Sequence, residues 1–318
     1  MDRIELMRES LDKNGVGIEI GPLHNSICGK NDGWERTYIL DAFTTDQLKN
    51  IYAEDPNIDT SKIEEVDLLY KTSLLKSIEA NAWRYSYGIG GISNSFDHIV
   101  SSHNFEHQPN PIQFLTDCEL CLNTNGILAM AIPIASRTFD CWLPLTTTGQ
   151  SLDRFFMNTY KPTIGSLFDS LLSHASHMSE EPLHDLSYDI NKVCLRGQVN
   201  KNFLTSCNNS IYPTNYIDAH VSRFNHFSFE LFFKELLSME LINALVLDEC
   251  ILNGSEFIVK IRKIAPNTNH LKKLTTTERT LLTKKSITFH ANDILKSEEP
   301  KLTASFKKSD RDITHNKQ

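Results

Sequence analysis

Two short apolar runs near the start of the chain, each with an acidic residue at or near its end, constrain the fold more than any other feature. The first covers residues 16–20, contains Glu19 and is followed by Gly21; the second covers residues 37–41 and ends in Asp41. A glycine lets the backbone approach a ligand, and a helix after it offers unpaired N–H groups. An acid closing the second strand can accept hydrogen bonds from both ribose hydroxyls. The pair predicts the first strand, ligand loop and second strand of a nucleotide-binding α/β fold.

Strand-like and helix-like segments alternate through the first part of the chain. Further strands are predicted at residues 65–68, 96–101 and 126–133, and helices at residues 45–53 (capped by Thr44 or Thr45) and 111–122. Such alternation is typical of a Rossmann-like, doubly wound, mostly parallel sheet with right-handed crossovers. Residues 85–91 are rich in glycine, but they follow no predicted strand, so they indicate an aromatic flap rather than a phosphate loop.

The pattern changes after Pro133. Residues 134–215 contain helical pieces at 151–160 and 163–173, which predict a helical cap inserted into a domain spanning residues 1–265. A helix at residues 228–242 and strands at 244–251 and 256–264 follow, and Asn253-Gly254 between the strands is a hairpin signal. We therefore predict an antiparallel C-terminal hairpin. Residues 266–318 form a polar tail that we expect to be disordered, with a short helix at 276–284.

Composition narrows the classes of partner. The chain has 318 residues, 40% hydrophobic content and a net charge of −8, so general affinity for nucleic acid is not expected. No apolar run is long enough to cross a bilayer, and the N-terminus lacks the pattern of a signal peptide. The seven cysteines are scattered, and Cys118 and Cys121 have no matching second pair, so we expect buried free thiols and a cytoplasmic location.

A set of short motifs in a fixed order resembles class I S-adenosylmethionine (SAM)-dependent methyltransferases of the methyltransferase type 11 kind. Within them, the chain is similar to the subgroup found with bacterial surface-polysaccharide biosynthesis. The similarity covers about residues 15–264 and rests on residues 19–25, 66–67, 95–97, 102–107, 110–111, 126–128, 137–140, 216–221, 228–229 and 256–257. The chain departs from the family pattern in the first loop, where Gly21 stands alone before a proline.

The resemblance implies SAM as cofactor and assigns residues to it. Glu19 and Gly21 would form the cradle under the methionine part, Asp41 would bind the ribose, and Asp67 would reach the adenine edge with Leu68 packed on the ring. The full predicted cofactor set is Glu19, Gly21, Leu23, Asp41, Asp67, Leu68 and Ser102.

Methyl transfer requires the acceptor, the methyl group and the sulfur in line, and a base when the acceptor is a hydroxyl. The candidate catalytic residues are His103, His220 and Glu106. Candidate acceptor contacts are Arg137, Asp140 and His107. The resemblance implies O-methylation of a sugar or glycan precursor, with a small molecule or glycan as partner. No metal ligand is assigned, and a divalent ion at Glu106 and His107 is retained as an alternative to a metal-free site.

Three other functions compete with this one. The single-glycine loop is compatible with a methyltransferase-fold binding or scaffold protein whose catalysis is impaired. The string His103-x-x-Glu106-His107 matches an inverted zinc-protease motif and would make the protein a metal-dependent hydrolase, provided that a helix carried it. An NAD-dependent oxidoreductase is disfavoured because no Gly-x-Gly-x-x-Gly follows the first strand.

Overall fold

The computed structural model describes residues 2–81, 93–177, 193–195, 197, 199–203, 205, 218–265 and 273–296. The glycine-rich segment at residues 85–91, predicted to be a flap, lies outside the described residues. The same holds for much of the last third of the predicted insertion and for residues 297–318 of the predicted tail.

The domain is built on a seven-stranded sheet. Its strands are β1 (Gly17–Ile20), β2 (Thr37–Asp41), β3 (Leu68–Leu69), β4 (Phe96–Ser102), β5 (Leu122–Pro133), β8 (Leu245–Asn253) and β9 (Glu256–Lys263). Their order in the sheet is β3-β2-β1-β4-β5-β9-β8. Strands β1 to β5 pair in parallel, β9 is antiparallel to β5, and β8 is antiparallel to β9. The predicted fold class, a Rossmann-like sheet with an antiparallel C-terminal hairpin, is confirmed.

The helices lie on both faces of this sheet and in the predicted insertion. They are α1 (Arg3–Arg8), α2 (Thr45–Ile51), α3 (Leu74–Asn81), α4 (Pro111–Cys121), α5 (Thr148–Phe156), α6 (Ile164–Leu172), α7 (His226–Ser238) and α8 (Thr276–Lys296). Thr44 caps α2 and Asn110 caps α4, which has Pro111 in its first turn. The insertion carries α5 and α6 and also a separate antiparallel pair, β6 (Ala175–His177) and β7 (Val193–Leu195).

One face of the sheet is covered by α3, α4 and α7. Side chains from these helices join the sheet in a large apolar core rich in phenylalanine, among them Phe105, Phe224, Phe229, Phe232 and Phe233. The rings that contact Phe224 meet it edge-on or tilted, with centroids 5.5–5.9 Å apart.

The opposite face of the sheet is covered in part by the β1–β2 crossover, which has an unexpected structure. The sequence predicted a helix after Gly21, but among the described residues the crossover from β1 to β2 contains only a short 3-10 turn, Lys30–Asp32. Pro22, Gly29 and Gly33 disfavour a helix there. Ile27, Cys28 and Trp34 of this crossover instead pack with Met7 of α1 on the sheet. The loop after β1 therefore depends on tertiary packing for its shape.

The C-terminal helix α8 begins at the predicted residue, Thr276, but is longer than predicted. We expected disorder with a short helix at residues 276–284, whereas α8 extends over 21 residues. Its inward stripe of Leu282, Ser286, Phe289 and Asp293 has helical spacing but only two apolar members, which hides the period in a polar segment. Ser286 carbonyl accepts a hydrogen bond from Asn225 Nδ2 at 2.9 Å, so polar contacts help to hold the helix against α7.

Two sequence-based expectations concerned membrane-spanning helices and the state of Cys118 and Cys121. In the described part of the chain, no helix combines the length and hydrophobicity needed to cross a bilayer. Cys118 and Cys121 are both buried and free, as predicted.

Strands β1 and β4 approach each other so closely at position 17 that only a glycine fits there. Gly17 lies opposite His98 in the parallel register, and a Cβ atom on Gly17 would stand 1.9 Å from His98 Nε2. The His98 ring is fully buried, contacts Trp34 edge-on at a centroid distance of 5.3 Å, and lies 3.0 Å from Thr37 Oγ1. Because the ring is buried against these neighbours, it cannot move aside without disturbing them.

We predict that Gly17→Ala lowers the free energy of unfolding by about 1–3 kcal/mol, the usual cost of overpacking a core. The matched control is Gly149→Ala in α5, where the nearest atom to the new Cβ is Thr147 Oγ1 at 3.8 Å. That change should be neutral or stabilising by up to about 1 kcal/mol. Urea unfolding of both variants measures the difference, and equal stabilities would contradict the packing described for His98.

Candidate functional site

A cavity of about 770 Å³ opens at the carboxyl ends of β1 to β4. The strand order reverses between β1 and β4, and such a switch point is where open α/β sheets bind ligands. The volume is within the usual range for small-molecule sites, about 300–1,000 Å³. Its walls come from the loop after β1, the end of β2, α2, the segment after β3, the turn after β4 and the α5–α6 linker.

The loop after β1 contributes Gly21 and Leu23 to the cavity wall. Both residues have a left-handed backbone conformation, with φ of 61° at Gly21 and 51° at Leu23, so the chain turns sharply at the end of the strand. The Gly21 N–H donates to the Leu40 carbonyl at 2.8 Å, which ties this turn to β2. The two predicted cofactor residues of this loop therefore lie where a ligand could contact them.

Glu19 does not line the cavity and acts on the same loop from behind. Its fully buried carboxylate accepts hydrogen bonds from Ser26 Oγ at 2.5 Å, Ile27 N at 2.6 Å and Cys28 N at 2.8 Å. Burial raises the pKa of Glu19, and the three hydrogen bonds offset only part of that rise. Glu19 is thus a positioning residue for the loop rather than a contact to a ligand in this cavity.

Asp41 ends β2, as predicted, and lies on the cavity wall. Its Oδ1 accepts a hydrogen bond from the Phe43 N–H at 3.1 Å, which holds the carboxylate at the strand tip. Burial raises the pKa of Asp41, and hydrogen bonds from Phe43 and Ala42 oppose that rise. Tyr52, directly after α2, lines the same region, and burial, with the charges of Asp218 and Asp41, raises its pKa.

The predicted bounds of the third strand were wrong, and neither Asp67 nor Leu68 lines the cavity. Asp67 precedes β3 instead of ending it; its two oxygens each lie 2.8 Å from Lys30 Nζ, and one accepts from the Ile39 N–H at 2.8 Å. Leu68 is fully buried in the core. The cavity is instead lined by the three residues after β3, Tyr70 to Thr72. The error arose because the real strand lies three residues later than its predicted start.

The turn after β4 places His103 on the cavity wall in a left-handed conformation, with φ of 48°. Left-handed backbone is strained for a residue with a side chain and is often found at functional sites. His103 Nε2 lies 2.8 Å from Glu256 Oε2 of β9, and the side chain is 48% exposed. Burial alone would raise the pKa of Glu256, but His103 and Arg3 outweigh it and lower that pKa.

Ser102, predicted to contact the cofactor, does not line the cavity. Its Oγ accepts a hydrogen bond from the Arg3 guanidinium, whose Nε donates to Glu256 Oε1 at 2.8 Å. Helix α1 is therefore connected to His103 through Glu256. No feature of the sequence around Ser102 indicates this partner, because Arg3 lies 99 residues away along the chain.

Glu106, His107 and His220 form a cluster at the cavity wall, in which Glu106 and His220 are buried and His107 is half-buried. His107 lines the cavity, whereas Glu106 and His220 do not. Glu106 Oε1 lies 3.6 Å from His107 Nε2 and 3.9 Å from His220 Nε2. His107 Nδ1 lies 2.9 Å from Asp218 Oδ1. Burial alone would lower the pKa of His107, but Asp218 and Glu106 outweigh it and raise that pKa.

The string His103-x-x-Glu106-His107 does not form the predicted hydrolase motif. It lies on a 3-10 turn, Phe105–His107, rather than on a helix, and His103 Nε2 faces Glu256. His220, from a distant segment, joins Glu106 and His107 in its place. His103 Nδ1 also lies 3.9 Å from Glu106 Oε1, but the string lacks the helix that an inverted zinc-protease motif requires.

The predicted acceptor contacts Arg137 and Asp140 also lie off the cavity wall. Arg137 Nε donates to Asp293 Oδ2 of α8 at 2.9 Å, and its Nη1 donates to the Gly254 carbonyl at 2.5 Å. Asp140 Oδ2 contacts His220 Nδ1. Arg137 therefore fastens the C-terminal helix, and Asp140 positions a histidine. Both pairings join residues far apart in sequence, which local patterns cannot reveal.

Several cavity residues were not predicted. Aromatic and cationic side chains stand out among them: Tyr52, Tyr70, Lys71, Tyr160 and Lys161. The apolar pair before Tyr70 was a usable signal, since a residue directly after a parallel strand faces the ligand edge of the sheet. Tyr160 and Lys161 lie in the α5–α6 linker, whose position over the sheet depends on how the insertion folds back.

No family model matches the chain, and no curated protein matches it significantly. Among solved structures, the chain is similar to a SAM-dependent methyltransferase from Aquifex aeolicus, with 10% identity, coverage of 83% of this chain and 94% of that one, and a TM-score of 0.34. It is also similar to the PH0226 protein of Pyrococcus horikoshii, with 9% identity, coverage of 81% of this chain and 86% of that one, and a TM-score of 0.36. A third similar structure is the [4+2]-cyclase SpnF, with 10% identity, coverage of 82% of this chain and 80% of that one, and a TM-score of 0.33. At these identities and TM-scores the matches carry no argument about activity.

Proposed function

We propose that the protein is a SAM-dependent methyltransferase that O-methylates a sugar or a glycan precursor by in-line transfer. One observation carries the proposal: a cavity at the switch point of a Rossmann-like sheet has Gly21 at the tip of β1 and Asp41 at the tip of β2. An adenosine-bearing cofactor needs this pairing: exposed backbone at the end of one strand and an acidic side chain at the end of the neighbouring strand. The sugar acceptor is supported by the motif resemblance alone.

The residues present fit the cofactor. Asp41 would accept hydrogen bonds from the ribose hydroxyls, and Gly21 with Leu23 would contact the methionine part. Tyr70 and the two residues after it, in place of Asp67, would contact the adenine ring. The bound cofactor supplies a methyl group already activated on a sulfonium, so the chain needs to orient an acceptor and remove a proton.

Among the three predicted catalytic residues, His103 fits the role of base best, because it alone lines the cavity. Glu256 lies 2.8 Å from Nε2 and favours a proton on that nitrogen. Nδ1, which is 3.9 Å from Glu106 Oε1, would then carry the lone pair that accepts the proton of a hydroxyl acceptor. Glu106 and His220 lie behind the wall, so we no longer assign them to proton transfer. His107 remains on the wall and keeps its proposed contact with the acceptor.

Asp41→Ala is predicted to weaken SAM binding about 10- to 100-fold while the fold is retained. The change removes charged hydrogen bonds to the ribose, worth roughly 1.5–3 kcal/mol. Isothermal titration calorimetry with SAM measures the effect, and Asp46→Ala, an exposed position in the first turn of α2, is the control that should bind as wild type. Equal affinity in Asp41→Ala and wild type would remove the basis of the proposal.

A second candidate function is a binding or scaffold protein that retains the methyltransferase fold without catalysis. The crossover after β1, which in the described chain has a 3-10 turn and no α-helix, favours it because helical N–H groups are missing beside Gly21. Tritium transfer from methyl-labelled SAM to a panel of nucleotide sugars separates the two functions. Incorporation that is lost in His103→Ala supports the enzyme; SAM binding without incorporation supports the scaffold.

A further inference from the structure

Three potential metal ligands from two distant segments converge beside the cavity. Glu106 and His107 come from the turn after β4, and His220 comes from the segment that precedes α7. One donor atom from each lies within 4.8 Å of the other two. Tetrahedral zinc, with donors about 2.1 Å from the ion, needs donors about 3.4 Å apart. The separations of 3.6 and 3.9 Å from Glu106 Oε1 to the histidines are close to this value.

Each of the two histidines has a carboxylate oxygen beside Nδ1, through a hydrogen bond for His220 and an ion-pair contact for His107. Asp140 Oδ2 contacts His220 Nδ1, and Asp218 Oδ1 lies 2.9 Å from His107 Nδ1. A carboxylate beside Nδ1 favours the tautomer with its proton there, so Nε2 carries the free lone pair. Both Nε2 atoms face Glu106. Carboxylates that orient metal-binding imidazoles in this way are a regular feature of zinc sites.

Glu106 supplies the independent sign that the cluster is incomplete without a cation. The residue is 2% exposed, and neither carboxylate oxygen accepts a hydrogen bond from any residue that the structure describes. Asp140 and Asp218 add two further carboxylates around the same histidines. A buried carboxylate without hydrogen bonds is costly, and a bound cation offsets that cost.

We propose that Glu106, His107 and His220 bind a divalent transition metal of the zinc class, with Asp140 and Asp218 orienting the two histidines. Two imidazoles and one carboxylate suit Zn²⁺ or Co²⁺, whereas Mg²⁺ prefers oxygen ligands alone. This site differs from the one that the string containing His103 suggested, since His103 is paired with Glu256 and is not among the ligands.

The metal would connect parts of the protein that are far apart in sequence. Glu106 and His107 belong to the turn at the end of the parallel sheet, Asp140 lies at the start of the insertion, and His220 lies near its end. The bound ion would fasten both ends of the insertion to the sheet. The backbone carbonyl of Glu106 already accepts from Val221 N at 2.8 Å and Ser222 N at 3.0 Å, so these segments are in direct contact.

The test is direct metal binding by the full chain after dialysis against EDTA. Calorimetric titration with Zn²⁺ is expected to give one site, Co²⁺ should produce the visible absorption of a protein-bound ion, and Mg²⁺ should give no binding. His220→Gln and Glu106→Gln should each weaken Zn²⁺ binding at least tenfold. Asp140→Asn, which alters only the partner of His220, should weaken it about 10- to 100-fold.

His103→Gln is the matched control. His103 belongs to the same turn and its Nδ1 lies 3.9 Å from Glu106 Oε1, but it is not one of the three converging ligands, so its loss should leave Zn²⁺ affinity unchanged. Circular dichroism of each variant verifies folding, and Asp140→Asn provides the test if a ligand substitution prevents it. Absence of a zinc site in wild type, wild-type affinity in the folded Asp140→Asn and Glu106→Gln proteins, or loss of binding in His103→Gln would each overturn the proposal. No nucleoside is present, so the result is independent of whether SAM binds.

Discussion

Glu19→Ala is expected to lower the free energy of unfolding by about 3–5 kcal/mol, the cost of breaking a buried charged hydrogen-bond network. The substitution leaves Ser26 Oγ and the N–H groups of Ile27 and Cys28 without their acceptor. These donors lie in the crossover that shapes the cavity wall at Gly21, so SAM binding should be lost as well. Guanidinium chloride unfolding, followed by circular dichroism, measures the first effect and calorimetry the second.

The control is Glu35→Ala, which removes an exposed carboxylate from the same crossover. Surface changes of this kind usually alter stability by no more than about 0.5 kcal/mol. If Glu19→Ala were as stable as Glu35→Ala, the carboxylate would not be holding the loop. Glu19 would then have to be reconsidered as a direct ligand contact.

Acid is expected to destabilise the protein through His98, by about 3 kcal/mol between pH 6.5 and pH 4. Burial lowers the pKa of His98 from 6.5 to about 4 in the folded protein, and the charges of Asp97 and Asp12 oppose this only in part. The fold therefore favours the neutral ring. Its contribution is complete above pH 6.5 and falls by about 1.4 kcal/mol per pH unit as the pH decreases towards 4, because the unfolded chain binds the proton more readily.

Denaturant unfolding at a series of pH values from 7 to 4 measures this slope. His226 and His290 also have pKa values lowered by burial, so they contribute to the same window. The informative quantity is the difference in slope between wild type and His98→Gln, in which the titrating ring is absent. Parallel curves for the two proteins would show that His98 does not titrate at a lowered pKa in the fold.

The parts of the site that could be predicted from the sequence are those set by a single strand end. Gly21 and Asp41 follow directly from where β1 and β2 stop, and a strand that ends in an acid or glycine places that residue at the edge of the sheet. The same reasoning misplaced Asp67. Strand β3 is only two residues long, and the acidic residue before it was taken as its end.

The remaining parts depend on contacts between distant segments. His220 meets Asp140 across 80 residues, and Arg137 meets Asp293 across 156. No period or motif in one segment specifies such a partner. The crossover after β1 is a further case, since its shape follows from the acceptor that Glu19 provides and from packing against α1. Sequence analysis identified His220 and Asp140 as candidate site residues but not their contact with each other, and neither lines the cavity.

The most direct test of the central claim is a crystal structure of the protein with S-adenosylhomocysteine. The account predicts the ribose beside Asp41, the amino-acid part beside Gly21 and Leu23, and the adenine next to Tyr70. Nucleoside bound elsewhere, or no binding at millimolar concentration to a protein shown to be folded, would contradict it.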